Sequence, residues 1–132
     1  MSDVSYSILV VDDSEDYRNL VCHYLSDFPC TISQAQDGED AVELFARGQF
    51  DLVIMDIIMP LMDGVDAIAA IRENESQRDV APTPILALSG EKSAETGRDC
   101  IKAGSNTILI KPVSRQELVG TVCSLVGCEL PL

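Results

Sequence analysis

Four short runs in this 132-residue chain are uncharged and rich in strand-forming residues until they stop at a polar side chain. They are ILVVDD (residues 8–13), LVIMD (52–56), ILALS (85–89) and ILIKP (108–112), and IIMPLMDG (57–64) trails the second. Runs of this kind suit strands covered on both faces of a parallel sheet. Parallel sheets gather their C-terminal strand ends along one edge, where ligands bind. Asp12, Asp13, Asp56, Ser89 and Lys111 are therefore expected to converge from distant parts of the chain.

The segments between these runs read as helices. Tyr17, Leu20, Val21, Tyr24, Leu25 and Phe28 recur at spacings of three and four, with Ser14 as an N-cap and Pro29 as the stop. A shorter, more polar strand over 31–35 suits a sheet edge. Asp37 opens a second helix that runs to Arg47 and Gly48, with Ala41, Val42, Leu44 and Phe45 inward. Pro60 and Gly64 punctuate the loop after Asp56, and a third helix is expected over 65–73. Residues 74–84 are polar, carry two prolines and read as a loop. A weak helix over 94–103, a strand over 107–110 and a helix opened by the capping box of Ser114 and Glu117 complete the pattern. The last helix presents Leu118, Val119, Val122, Leu125 and Val126 on one face.

The expected fold is α/β: a doubly wound (βα)₅, flavodoxin-like three-layer sandwich with parallel strand order 2-1-3-4-5. A single domain over 1–132 suits the length. The chain ends soon after the last helix, which suggests that no output domain is attached.

A net charge of −13 repels phosphate backbones, so direct nucleic-acid binding is not expected. The N-terminus lacks the pattern of a secretory signal and no apolar run reaches membrane-spanning length, which points to the cytoplasm with no membrane partner. Cys22, Cys30, Cys100, Cys123 and Cys128 contain no CxxC pair and read as small buried hydrophobes or free thiols. His23, the only histidine, reads as a structural or surface residue.

Three carboxylates at adjoining strand ends repel one another by about 4 kcal/mol per pair at 4 Å and an effective dielectric of about 20. Either one stays protonated or cations neutralise the group. Lys111 supplies one positive charge, and a divalent ion would supply the rest. Hard oxygen ligands without nearby His or Cys favour magnesium, or manganese, over zinc. Such a pocket lacks only a phosphoryl group, which an aspartate can carry as an acyl phosphate. Each piece has an ordinary explanation: an Asp pair as a helix N-cap, a serine as a strand end, a lysine in a solvated loop. The joint pattern is far more specific.

VVDD (10–13), MDIIMPLMDG (55–64), LALS (86–89), KAG (102–104) and LIKP (109–112) occur in the order found in response-regulator receiver domains of two-component signalling. The chain resembles that family from about residue 6 to 125, and in particular its single-domain, chemotaxis-regulator-like members. The resemblance implies Asp56 as phosphoacceptor, with Asp12, Asp13, Asp56 and the Ile58 backbone carbonyl holding magnesium. It implies Ser89 as the switch hydroxyl and Lys111 as the phosphoryl contact, followed by the usual Pro112. The implied partners are a sensor histidine kinase or histidine phosphotransfer protein and a downstream protein target. The protein would then be no enzyme beyond slow autophosphatase activity. Ile108 departs from the pattern, because it stands where many relatives carry an aromatic switch residue.

Other readings have their own signatures. A receiver-like interaction module that is never phosphorylated would leave the acidic set idle. A receiver excised from a hybrid sensor kinase fits the long segment before PILALS (84–89). An aspartyl phosphohydrolase needs an acid two residues past its nucleophile, where Ile58 stands. A flavin-binding module needs an uncharged phosphate cradle where DDSED (12–16) stands.

Overall fold

The structure is a computed structural model that describes residues 5–59, 61–90 and 94–128. Among the described residues, strands and helices alternate in the order β1 (Tyr6–Val11), α1 (Glu15–Tyr24), β2 (Cys30–Ala35), α2 (Gly38–Arg47), β3 (Leu52–Asp56), α3 (Gly64–Arg78), β4 (Ile85–Ser89), α4 (Ala94–Ala103), β5 (Thr107–Ile110) and α5 (Arg115–Val126). The sheet is parallel with order β2-β1-β3-β4-β5, the expected doubly wound arrangement. Pro60 lies outside the described residues.

Alternation of side chains along the inner strands divides the core into two layers. Leu9, Val11, Val53, Met55, Ile85 and Ala87 face α2, α3 and α4, where Phe45, Ile68 and Cys100 meet them. Ile8, Val10, Leu52, Ile54, Leu86 and Leu88 face α1 and α5, where Val21, Leu118 and Val122 close the layer. Every residue of β3 and β4 is buried, as suits strands that stay uncharged up to Asp56 and Ser89. The partly exposed β2 lies at an edge, as its polarity suggests.

Caps set the helix starts. Ser14, Asp37 and Asp63 each accept a backbone N–H from the residue three positions on. Ser114 and Glu117 form the expected reciprocal capping box. Ser14 and Asp37 were legible as starts, whereas Asp63 was hidden in the loop it terminates.

Three expectations need correction. α3 does not end near Glu73 but continues to Arg78, and only the remainder of 74–84 is irregular. The extra turn is held because Glu75, 3% exposed, turns inward. It accepts from Arg72 Nη1 at 2.7 Å and from the Thr83 amide at 2.6 Å. Arg72 also donates to the Gly104 carbonyl and to Asn106, so this buried pair ties α3 to the turn before β5. Leu20 faces outward, at 36% exposure, whereas Leu25 and Phe28 bury just beyond α1. Finally, Cys123 and Cys128 are joined in a disulfide and are not free thiols. Gly127, with φ of 76°, turns the chain back so that the Cys128 amide donates to the Cys123 carbonyl. Their Cα atoms then lie 5.1 Å apart, within disulfide reach. Cys22, Cys30 and Cys100 remain free thiols, as expected.

Candidate functional site

The β1–β3 adjacency builds the site. Val11 registers with Met55, so Asp12 follows β1 beside Asp56, the last residue of β3. Asp12 is buried and Asp56 is 4% exposed, while Asp13 reaches solvent. One carboxylate oxygen from each of Asp12, Asp13 and Asp56 lies within 4.8 Å of the others. Lys111 comes in from the end of β5, where its amide donates to the Ser89 carbonyl at 2.7 Å. Its Nζ lies 3.0 Å from Asp12 Oδ2 and 3.1 Å from Asp56 Oδ1. The predicted acidic triad and lysine therefore meet in one place.

Ser89 is fully buried at the end of β4, one residue past Leu88, the register partner of Asp56. Its hydroxyl-bearing position borders the pocket. Ile58 lies two residues past Asp56 in the following loop, with its side chain 60% exposed. Gly64 shapes that loop: its amide donates to the Ile57 carbonyl at 2.8 Å. A Cβ at Gly64 would collide with the Asp56 carbonyl oxygen and lie 2.6 Å from Ile57 Cα. The glycine is therefore required by close backbone approach, a role beyond simple loop punctuation. Ile108 is half-buried in β5 and lines an open groove with Gly97, Arg98, Ile101 and Lys102 of α4.

The electrostatics follow from two buried carboxylates sharing one ammonium. Burial, then the charge of Asp12, pushes the Asp56 carboxyl up to about 6; Lys111 opposes the rise and Asp13 adds to it. Burial disfavours the Lys111 ammonium, but its hydrogen bond to Asp12 and the charge of Asp56 outweigh that cost, and its pKa rises. Burial leads the first shift, and an excess of negative charge around one ammonium contributes to both.

A hard dication fits this excess. Oxygen ligands about 2.1 Å from an octahedral magnesium lie about 3.0 Å apart when adjacent and about 4.2 Å when opposite, so carboxylate oxygens within 4.8 Å of one another need only a modest closure to share one ion. His23 is exposed on α1, and among the described residues no thiol joins the cluster, so its donors are oxygens.

Two residues that support the pocket were not singled out by sequence. Tyr17 was legible only as an inward-facing helix residue, yet its ring lies under Lys111 Nζ at 4.0 Å from the centroid. Arg18 Nη1 donates to the Asp12 carbonyl at 2.7 Å and its Nε to Gln34 at 3.0 Å, which fixes the backbone that presents the acidic pair. No period or spacing signals such contacts, because they depend on the approach of the β5–α5 connection and β2 to α1.

A parallel five-stranded sheet with acidic groups and a lysine at its C-terminal edge defines a class of signalling switch, and residues 8–123 match the family described as the response regulator receiver domain. The chain belongs to that family. Among curated proteins it is similar to the autoinducer 1 sensor kinase/phosphatase LuxN of Vibrio campbellii, with 42% identity over 114 residues. That match covers 86% of this chain and 13% of LuxN. Among solved structures, the chemotaxis protein CheY4 of Vibrio cholerae superposes with a TM-score of 0.83 at 31% identity, covering 92% of this chain and 99% of CheY4. The receiver domain of the sensor histidine kinase PA1611 from Pseudomonas aeruginosa PAO1 superposes with a TM-score of 0.82 at 30% identity, covering 94% of this chain and 99% of that domain. That structure holds a magnesium ion in its active-site cleft. Among the described residues of the present chain, no helix is long and apolar enough to cross a membrane.

Proposed function

We propose that this receiver is a phosphoacceptor in which Asp56 takes a phosphoryl group from a phosphohistidine. The observation that carries the reading is Lys111 Nζ bridging Asp12 and Asp56, with Asp13 close enough to share a cation. An Asp56 carboxylate oxygen attacks phosphorus in line, forming a P–O bond as the P–N bond breaks. The electron pair leaves on the donor's imidazole nitrogen. Little covalent chemistry is asked of the protein, so positioning and charge neutralisation dominate. Lys111 neutralises phosphoryl oxygens as they arrive, and Ser89 donates a hydrogen bond to one of them. Asp12, Asp13, Asp56 and the Ile58 backbone carbonyl would hold magnesium, with manganese as the alternative, and the bound ion supplies further neutralisation of phosphoryl charge.

The acyl phosphate then adds charge to a pocket already crowded with carboxylates and biases a two-state surface for partner proteins. Donors are a sensor histidine kinase or a histidine phosphotransfer protein, and the output is a protein target in the cytoplasm. Water removes the phosphoryl group slowly, as the domain's own weak autophosphatase activity. The similarity to LuxN and to the PA1611 receiver supports a setting within a hybrid kinase as readily as a separate regulator.

Incubation with phosphoramidate and magnesium tests the reading by intact-protein mass. Wild type is expected to gain one phosphoryl group, and Asp56→Asn or a chelator to abolish the gain. Equal labelling of Asp56→Asn, or none of wild type, overturns it.

A further inference from the structure

The ring beneath Lys111 has a geometric pedigree. The Ser14 amide donates to Asp12 Oδ1 at 2.9 Å, and the Tyr17 amide donates to Ser14 Oγ at 3.2 Å. The same cap that begins α1 therefore registers Tyr17 against the acidic pocket. Its ring packs against the α1–α5 side of the core and meets Lys111 Nζ face-on at 4.0 Å. The Tyr17 hydroxyl is buried and makes no hydrogen bond of good geometry among the described residues. The placement thus serves the ring and not the hydroxyl.

We infer that Tyr17 is a positioning residue for phosphoryl transfer, holding the Lys111 ammonium over the pocket through its ring face. This rests on the phosphoacceptor reading of Asp56. A lysine has three N–H donors. Asp12 and Asp56 engage the Lys111 head from one side. A fourth carboxylate on the other side would hold the ammonium too, but it would add repulsion to a site that already has three. The ring attracts the cation without net charge and offers no lone pair to compete with an incoming phosphoryl oxygen. When the phosphoryl group arrives, the head needs only to pivot on the ring. The Lys111 side chain is 21% exposed, so the contact operates largely out of water.

The contact is read first in metal-free protein, by NMR of the Lys111 side chain. Its Hε protons should be ring-current shifted upfield in wild type and in Tyr17→Phe, and move to ordinary positions in Tyr17→Leu. Phosphoramidate labelling with magnesium then reads the consequence. Tyr17→Phe should label within about twofold of the wild-type rate, and Tyr17→Leu about tenfold more slowly, as expected for loss of a desolvated cation–π contact. Magnesium affinity should stay within about twofold throughout. Stepwise fluorinated phenylalanines at position 17 keep the shape and weaken the ring's attraction; the rate should fall with each fluorine, which also covers a Tyr17→Leu protein that fails to fold. An unshifted Hε signal in wild type, or a rate indifferent to fluorination, overturns the inference. Absence of labelling at Asp56 in wild type would instead overturn the phosphoacceptor reading, and the ring-current measurement would still judge the contact.

Discussion

Replacing Asp56 by asparagine should stabilise the metal-free protein, and only above the pH at which its carboxyl ionises. Burial and Asp12 raise this carboxyl from an ordinary 3.8 to about 6. The folded state therefore holds the proton more tightly than the unfolded chain. The sign follows: the stabilising contribution is complete below pH 3.8 and is lost as pH rises through about 6. The difference, 6 − 3.8 = 2.2 units, corresponds to about 3 kcal/mol at 1.36 kcal/mol per unit. Asparagine is neutral at every pH and keeps an oxygen for Lys111. Asp56→Asn should thus match wild type near pH 4.5 to within about 1 kcal/mol and exceed it by about 3 kcal/mol at pH 8. For a chain of this size that is a rise in Tm of about 10 °C. Urea unfolding followed by circular dichroism, in buffer with a chelator, measures the gap. Magnesium should narrow it by stabilising the wild type more than the variant, which keeps Asp12 and Asp13 but lacks one ligand charge. A variant no more stable than wild type at pH 8, or a gap that does not change with pH, would refute the assigned charge imbalance.

Asp13→Asn should weaken magnesium binding about thirtyfold, because one charge on a dication is worth about 2 kcal/mol at 4 Å even with the dielectric of water; calorimetric titration reads it. Arg72→Ala strands the buried Glu75 carboxylate and should cost about 3–5 kcal/mol of unfolding free energy, measured by urea titration at pH 7. Gly64→Ala forces a methyl group onto the Asp56 and Ile57 backbone, so a loss of about 1–3 kcal/mol is expected in thermal unfolding, together with slower labelling.

Much of this molecule could be read from its chain because its inner strands carry no charge until their last residue. That pattern alone located β3 and β4, and parallel pairing then brought Asp56 beside Asp12. What escaped reading was held by contacts between segments far apart in sequence. The last turn of α3 consists of polar residues and gave no periodic signal, yet Arg72 reaching Gly104 and Asn106 makes a buried Glu75 affordable there. The Cys123–Cys128 pair follows from a left-handed Gly127 at a helix end, which the spacing alone does not announce. Lys111 was legible as a charge to balance, whereas the ring that meets it belongs to another helix face. Gly64 looked like a loop breaker because sequence shows no backbone approaching it.

The most direct measurement is chemical trapping of the phosphorylated protein. After transfer from a phosphohistidine donor in magnesium, borohydride reduction should convert one aspartate to homoserine, and peptide mass spectrometry should place it at residue 56. Homoserine at residue 12 or 13, or a donor that loses its phosphoryl group with no residue of this chain reduced, would contradict the account.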